Sequence, residues 1–109
     1  MLSERAVRRM LFLRAVVSVG ALLLCVGCGN TLYAVHANSA EERLEEAKQL
    51  GAEELAPYEY YYAKAHLEKA ASEAAEAEYG NASDLAEISE AYALKASKLS
   101  REARRGAGR

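Results

Sequence analysis

Residues 51–57 read GAEELAP, and they separate two stretches that repeat one spacing of small and apolar residues. Before them Tyr33, Ala37, Ala40, Leu44, Ala47 and Gly51 fall alternately four and three residues apart. After them Tyr60, Ala63, Leu67, Ala70, Ala74 and Ala77 alternate three and four again. Residues three and four apart share one face of an α-helix, so each stretch reads as a helix with a single seam to bury. The heptapeptide supplies the break between them. Glycine tolerates the left-handed backbone just past a helix end, and the missing N–H of Pro57 costs nothing in the first turn of the next helix.

The first of these helices is expected from about Thr31 to Leu50. Ser39-Ala40-Glu41-Glu42 has the form of a capping box, which would start a helix at Ser39, but the seam runs through it. The expectation is therefore one helix that frays before Ser39. The second should run from Pro57 to Tyr79 and stop at Gly80. Asn81 then caps a third helix with Asp84 in its first turn, an apolar stripe of Leu85, Ile88, Tyr92, Ala96, Leu99 and Ala103, and an end at Gly106. Short connections make neighbouring helices antiparallel, so the expected fold is all-α, an up-down-up three-helix bundle over residues 31–105 with a basic flexible tail at 106–109. An extended helical hairpin with a loose first helix is the alternative. With 23 alanines and one proline the chain favours helix, yet alanine seams bury little area, and such a core is thin.

The first 27 residues are a different material. Arg5, Arg8, Arg9 and Arg14 against Glu4 give them a charge of +3, and the apolar run AVVSVGALLLCV follows from Ala15 to Val26. A bilayer-spanning helix needs roughly 20 apolar residues, so this shorter run reads as a signal peptide. Its end, Cys25-Val26-Gly27-Cys28, resembles the lipobox of bacterial lipoproteins, where small residues precede a cysteine that becomes lipidated. Cys28 follows Gly27 and fits that place; Cys25 follows the bulky Leu24 and does not. The domain reading is thus a signal peptide over 1–27, a lipidated N-terminus and short tether over 28–30, then the helices. Cleavage before Cys28 leaves the mature chain without a second thiol, which removes disulfides, thiol catalysis and zinc-thiolate sites. The lipobox resemblance implies diacylglycerol and an N-acyl chain on Cys28, and several acyl chains together make a durable anchor. Under the common sorting rule of such lipoproteins, Gly29 in place of aspartate implies the inner leaflet of the outer membrane, facing the periplasm. The inner membrane is the alternative.

GAEELAP followed by Tyr58, Ala63, Leu67 and Ala70 resembles the family named domain of unknown function 4398, over roughly Tyr33 to Leu99. That family comprises small envelope lipoproteins and periplasmic helical domains, some associated with peptidoglycan-binding OmpA-like domains. The resemblance implies a location and a fold, and it carries over no catalytic residues. After Gly80 the family often has an aromatic residue where Ala82 and Ser83 stand here.

Chemistry-bearing residues are sparse. No Ser/His/Asp set, phosphate-cradling glycine loop or paired acid-base constellation occurs, and His36 and His66 lack metal-ligand spacing, so no catalytic, metal or cofactor site is expected. Four tyrosines stand in the five positions 58–62. Tyr60 belongs to the seam, while Tyr58, Tyr61 and Tyr62 cannot all face one core and are candidates for contact with a partner or a glycan. Charge is divided along the chain. Residues 41–90 hold fourteen acidic and four basic side chains, whereas residues 95–109 hold six basic side chains against Glu102. Arg101, Arg104, Arg105 and Arg109 are therefore candidates for contact with anionic cell wall or an acidic partner, with Glu53, Glu54 and Glu59 as the expected internal partners. The functional expectation is a non-enzymatic adaptor or structural component, bound to the membrane by its lipid, with a periplasmic protein or the cell wall as partner, an OmpA-like protein among the candidates. Nucleic acid is not an expected partner, and self-association is a further option. A glycan- or small-ligand-binding lipoprotein is the alternative. The lipobox makes the first testable statement: Cys28→Ser should abolish incorporation of labelled fatty acid, Cys25→Ser should leave it unchanged, and labelling of the Cys28→Ser chain would refute the assignment.

Overall fold

A computed structural model describes residues 3–108, with residues 23–29 described as backbone only. Every regular element among these residues is helical: α1 (Glu4–Gln49), α2 (Ala52–Leu55), α3 (Pro57–Ala75) and α4 (Tyr79–Ala107). The molecule measures 89 × 23 × 15 Å. Its length comes from α1, which at 46 residues and 1.5 Å per residue reaches about 69 Å. Only the second half of α1 packs against the rest. Its seam buries Ala37, Ala40, Leu44 and Ala47, as the heptad spacing predicts. The first half stands alone, with Val7, Met10, Leu11, Phe12, Leu13, Val16, Val17, Val19 and Leu22 all exposed. No break separates the halves: α1 is continuous through the expected tether at 28–30 and through Ser39, so the capping box does not start a helix.

The heptapeptide turns the chain as its residues dictate. Gly51 takes a φ of 84°, in the left-handed region, and its N–H donates to the carbonyl of Lys48 at 2.9 Å. The residues after it wind into the short α2, with Ala52 and Ala56 buried, and Pro57 opens α3. The second turn departs from the expectation of a stop at Gly80 with Asn81 as cap. Here α3 ends at Ala75, and Gly80 and Asn81 already lie inside α4. The reversal is made by Ala77, which takes a φ of 61°. Its N–H donates to the carbonyl of Ala74 at 3.0 Å and that of Glu78 to Glu73 at 2.9 Å, the paired bonds of a Schellman motif. These two bonds satisfy carbonyls that a later stop would also have had to satisfy, and they do so on a residue without glycine's freedom.

At its other end α4 continues through Gly106 to Ala107, so the first two residues of the expected flexible tail are helical. α4 packs along both α1 and α3. The pairs Ser39–Glu90 and Glu46–Arg101 rise together along the chain, so α1 and α4 run parallel, and α3 runs antiparallel to both. The buried face of α4 is not the expected stripe. Ala82, Ala86, Ser89, Ala93, Ala96 and Ser100 are its centre line, Leu85, Tyr92 and Leu99 flank it half-buried, and Ile88 and Ala103 are exposed. A helix with a neighbour on each side needs its smallest residues where both approach, because the side chains at the contact set the distance between axes. The serines fit this line by spending their hydroxyls on backbone: Ser89 Oγ donates to the Ala63 carbonyl of α3 at 2.6 Å, and Ser100 Oγ to the Ala96 carbonyl at 2.8 Å. The fully buried Ser97 hydroxyl has no partner among the described residues.

Ala77 provides the test of this arrangement. An L-residue in left-handed backbone costs about 1–2 kcal/mol, and glycine's greater loss of chain entropy returns roughly 0.5–1 of that. Ala77→Gly should therefore stabilise the chain by about 0.5–1 kcal/mol in urea denaturation followed by circular dichroism. A loss of stability would mean that the reversal lies elsewhere, as the glycine at 80 suggests.

Candidate functional site

Three groups of polar or aromatic side chains stand out on the packed half of the molecule. The first joins α1 to α4. His36 and Ser39 are one turn apart on α1 and both meet Glu90, with Ser39 Oγ donating to Oε1 at 2.5 Å and His36 Nδ1 lying 3.3 Å from Oε2. About a quarter of each of the His36 and Glu90 side chains is exposed. The hydrogen bond from Ser39 holds the Glu90 carboxyl below the usual carboxylate range, helped by His36 and by the more distant Arg43, against the opposing effect of burial. Serine, histidine and glutamate together suggest a catalytic set, but the geometry denies it. Ser39 gives its proton to the carboxylate, and the imidazole is turned to the same carboxylate, so no base addresses the hydroxyl. The group is a cross-link that fixes α1 against α4.

The second group is aromatic. Tyr58, Tyr62 and His66 follow at intervals of four along α3, so they form a column, with ring centroids 5.7 Å apart for Tyr58 and Tyr62 and 4.1 Å for Tyr62 and His66. His66 Nδ1 lies 2.9 Å from the Tyr62 carbonyl, which only an N–H can satisfy, so the hydrogen is placed on Nδ1. Tyr92 of α4 packs on Tyr62 at 4.2 Å, and Lys95 Nζ stands 5.6 Å from the Tyr92 centroid. The three tyrosines singled out in the sequence are not one patch. Tyr61 leaves the column and meets Tyr60 edge to face at 5.1 Å, and Tyr60 itself is buried. Burial raises the Tyr60 hydroxyl's pKa, with the negative charge of Glu53 adding to it. His66, Tyr92 and Lys95 complete the column instead. The spacing of Tyr62 and His66 was visible in the sequence; the partnership with α4 was not.

The third group is the basic end. Arg101, though exposed, pairs with Glu46 of α1, and that hydrogen bond is the first cause that lowers the pKa of the Glu46 carboxyl. This replaces Glu53, Glu54 and Glu59 as its expected partners; Glu53 is reached by Lys48 instead, at 4.0 Å. Arg104 extends over the Gly51 turn, where its Nη2 lies 3.5 Å from the place a Cβ on that glycine would occupy. Arg105 is exposed. Arg109 and the side chain of Cys28 lie outside the described residues, and Gly29 is described as backbone only. Within these residues no helix is long and apolar enough to cross a membrane, and no group of three or more His, Cys, Asp or Glu side chains could hold a metal ion.

On the side away from α4 the molecule is open. α1 and α3 leave a groove of about 520 Å³ lined by Glu41, Leu44, Glu45, Lys48, Tyr60, Lys64, Leu67, Glu68 and Ala71. Comparison of the chain with protein-family models, curated proteins and solved structures finds no match.

The Glu90 cross-link has a pH signature. The lowered native pKa means that the unfolded chain binds a proton more readily, so its stabilisation is complete above the ordinary glutamate value of about 4.3 and disappears as pH falls through the lower native value. Glu90→Gln should cost about 1–3 kcal/mol at pH 7 in urea denaturation, and the gap between variant and parent should close on acidification below about pH 4. A gap independent of pH would show that the side chain acts through packing and not through its charge.

Proposed function

We propose that the chain is a non-enzymatic, lipid-anchored protein of a bacterial cell envelope. In this reading residues 28–109 form the up-down-up three-helix bundle that acts as an adaptor or structural component on the periplasmic side. The observation that carries the proposal is the change in surroundings along the unbroken α1, from exposed apolar side chains ahead of the lipobox to a seam buried from Ala37 onward. Ahead of Val26-Gly27-Cys28 lies an arginine-flanked apolar helix whose described large apolar side chains are exposed, Phe12 by 73% and Leu22 by 74%. Among the described residues none before Ala37 is buried, so removing residues 1–27 takes nothing from the described core. A soluble domain has no reason to keep such a surface in water, whereas export and lipidation at Cys28 account for it. The resemblance to domain of unknown function 4398 supports the same location, and it favours an OmpA-like or cell-wall partner.

Topology supports different roles for the two ends in this reading. The basic end of α4 lies beside Glu46 and the Gly51 turn, about 27 Å along α1 from Cys28 at 1.5 Å per residue. In an anchored molecule that end points away from the lipid, towards the cell wall. Arg101 and Arg104 are partly engaged within the fold, so Arg105 and Arg109 are the residues assigned to anionic polymer or an acidic partner.

Membrane fractionation and cell-wall sedimentation test the two halves of the proposal separately. The full chain should fractionate with the outer membrane, and Gly29→Asp should move it to the inner membrane in a host that follows the common sorting rule. Removing residues 104–109 should weaken salt-sensitive sedimentation with purified peptidoglycan and leave fractionation unchanged. Equal sedimentation of the truncated and full chains at low salt would reduce the basic end to a helix-stabilising feature.

A further inference from the structure

The first turns of α1 past Cys28 differ from the rest of the bundle in what they leave uncovered. Among the described residues after Cys28, Leu32 and Val35 are the most exposed large aliphatic side chains, at 53% and 59%, ahead of Leu55, Ile88 and Leu94. α1 is helical from Cys28 through both of them, and residues four and seven positions on from a given one share its side of a helix. Leu32 and Val35 therefore stand in line with Cys28, about 6 and 10.5 Å from it along the axis at 1.5 Å per residue. The strip is turned away from the seam, where Tyr33 and Ala37 pack towards α3 and α4. It also has an end. Ser39, the next residue on that side, gives its hydroxyl to Glu90, and Glu42, seven residues beyond Val35, is exposed and places a carboxylate there.

We propose that Leu32 and Val35 rest in the surface of the bilayer that holds the lipid of Cys28, so that α1 leaves the membrane at a slant and turns one fixed side of the bundle towards it. The proposal rests on the lipidation of Cys28 argued above and adds to it a second, non-covalent contact with the same membrane. Position selects the occupant. Acyl chains on Cys28 bring the headgroup region to within two turns of both side chains. An apolar helix face at such an interface sinks about 5–10 Å into the boundary between headgroups and acyl chains, which matches the reach of this strip. An upright α1 would hold Leu32 and Val35 in water beside the lipid. A slanted one buries both, and the slant stops where the Glu42 carboxylate would have to follow, because an unpaired charge is costly to desolvate. The contact fixes rotation as well as tilt: the side bearing Leu32 and Val35 faces the lipid, and Ala34, on the other side of α1, faces water. The Gly51 turn stays the far end of α1, so the basic end of α4 remains raised from the surface.

The chain contains no tryptophan, so a single one introduced along α1 reports its own depth. The processed protein, isolated with its lipid, is reconstituted in vesicles of phosphatidylethanolamine and phosphatidylglycerol whose acyl chains carry bromine near the headgroup. Leu32→Trp and Val35→Trp should each be quenched several times more strongly than Ala34→Trp, and adding Val35→Asp to Leu32→Trp should remove most of that excess. All of these positions are exposed, and a helical circular dichroism signal equal to the parent's shows that the variants are folded. Incorporation of labelled fatty acid into the same preparations separates the two readings. Protein without label overturns the lipid anchor, and this contact with it. Labelled protein in which the three tryptophans are quenched equally, or not at all, or in which Val35→Asp leaves the excess intact, overturns the membrane contact and leaves the anchor standing.

Discussion

The packed half of this molecule depends on how closely two helices can approach a third. α4 carries the line Ala82, Ala86, Ser89, Ala93, Ala96 and Ser100, and α1 and α3 lie on either side of it. Each of these residues is small enough for the axes to come close, and the serines that interrupt the alanines hide their polarity by donating to backbone carbonyls. Larger side chains would keep the axes apart. Leucine at Ser89, for example, would both separate α3 from α4 and remove the bond to Ala63. The placement of Leu85, Tyr92 and Leu99 at the flanks follows from the same limit, since they fill the spaces that remain once the backbones have met.

Close approach has a second consequence. Alanine gains little from burial, so the specific contacts between helices are mostly polar or aromatic and lie at the margins of the seam. Ser39 and His36 converge on Glu90, Glu46 meets Arg101, and Tyr62 is held between His66 and Tyr92. These contacts set register more than they supply stability. The exposed pair of Glu46 and Arg101 contributes little beyond orientation, as surface ion pairs do, whereas Glu90 is partly buried and its charge is held by Ser39 and His36. The same economy leaves the groove between α1 and α3 open, because no third helix of the chain is available to fill it.

α1 carries two physical regimes on one unbroken helix. Helix continuity depends only on backbone and local propensity, and nothing between Glu4 and Gln49 forbids it. What changes along α1 is its surroundings: apolar side chains exposed in the first half, a seam of small residues buried from Ala37 onward. The stretch Cys25-Val26-Gly27-Cys28, which resembles a lipobox, falls between the two. A cut there would leave the buried seam, which starts at Ala37, wholly in the mature part, so the processing proposed for Cys28 and the packing of that part do not compete.

Much of this was legible from the residues alone. The seams of α1 and α3, the left-handed turn at Gly51 and the start of α3 at Pro57 follow from local rules, because spacing, glycine and proline constrain the backbone without reference to distant residues. The all-helical character follows likewise from alanine content and periodicity. The face that α4 buries did not follow, since hydrophobicity ranks Ile88 and Leu99 above Ser89, and only the presence of a helix on each side makes small size outweigh it. The turn at Ala77 was hidden for a related reason: glycine at 80 is the better local choice, but the hydrogen bonds from Ala77 and Glu78 and the packing of α3 on α4 fix the reversal three residues earlier. Ser39 reads as a cap from its neighbours and becomes a ligand of Glu90 only when α4 arrives. Sequence determined that the chain is helical, which seams α1 and α3 bury and where the break between Gly51 and Pro57 falls; tertiary structure decided the second turn and the face that α4 buries, because those depend on the size and charge of residues 26 to 55 positions away.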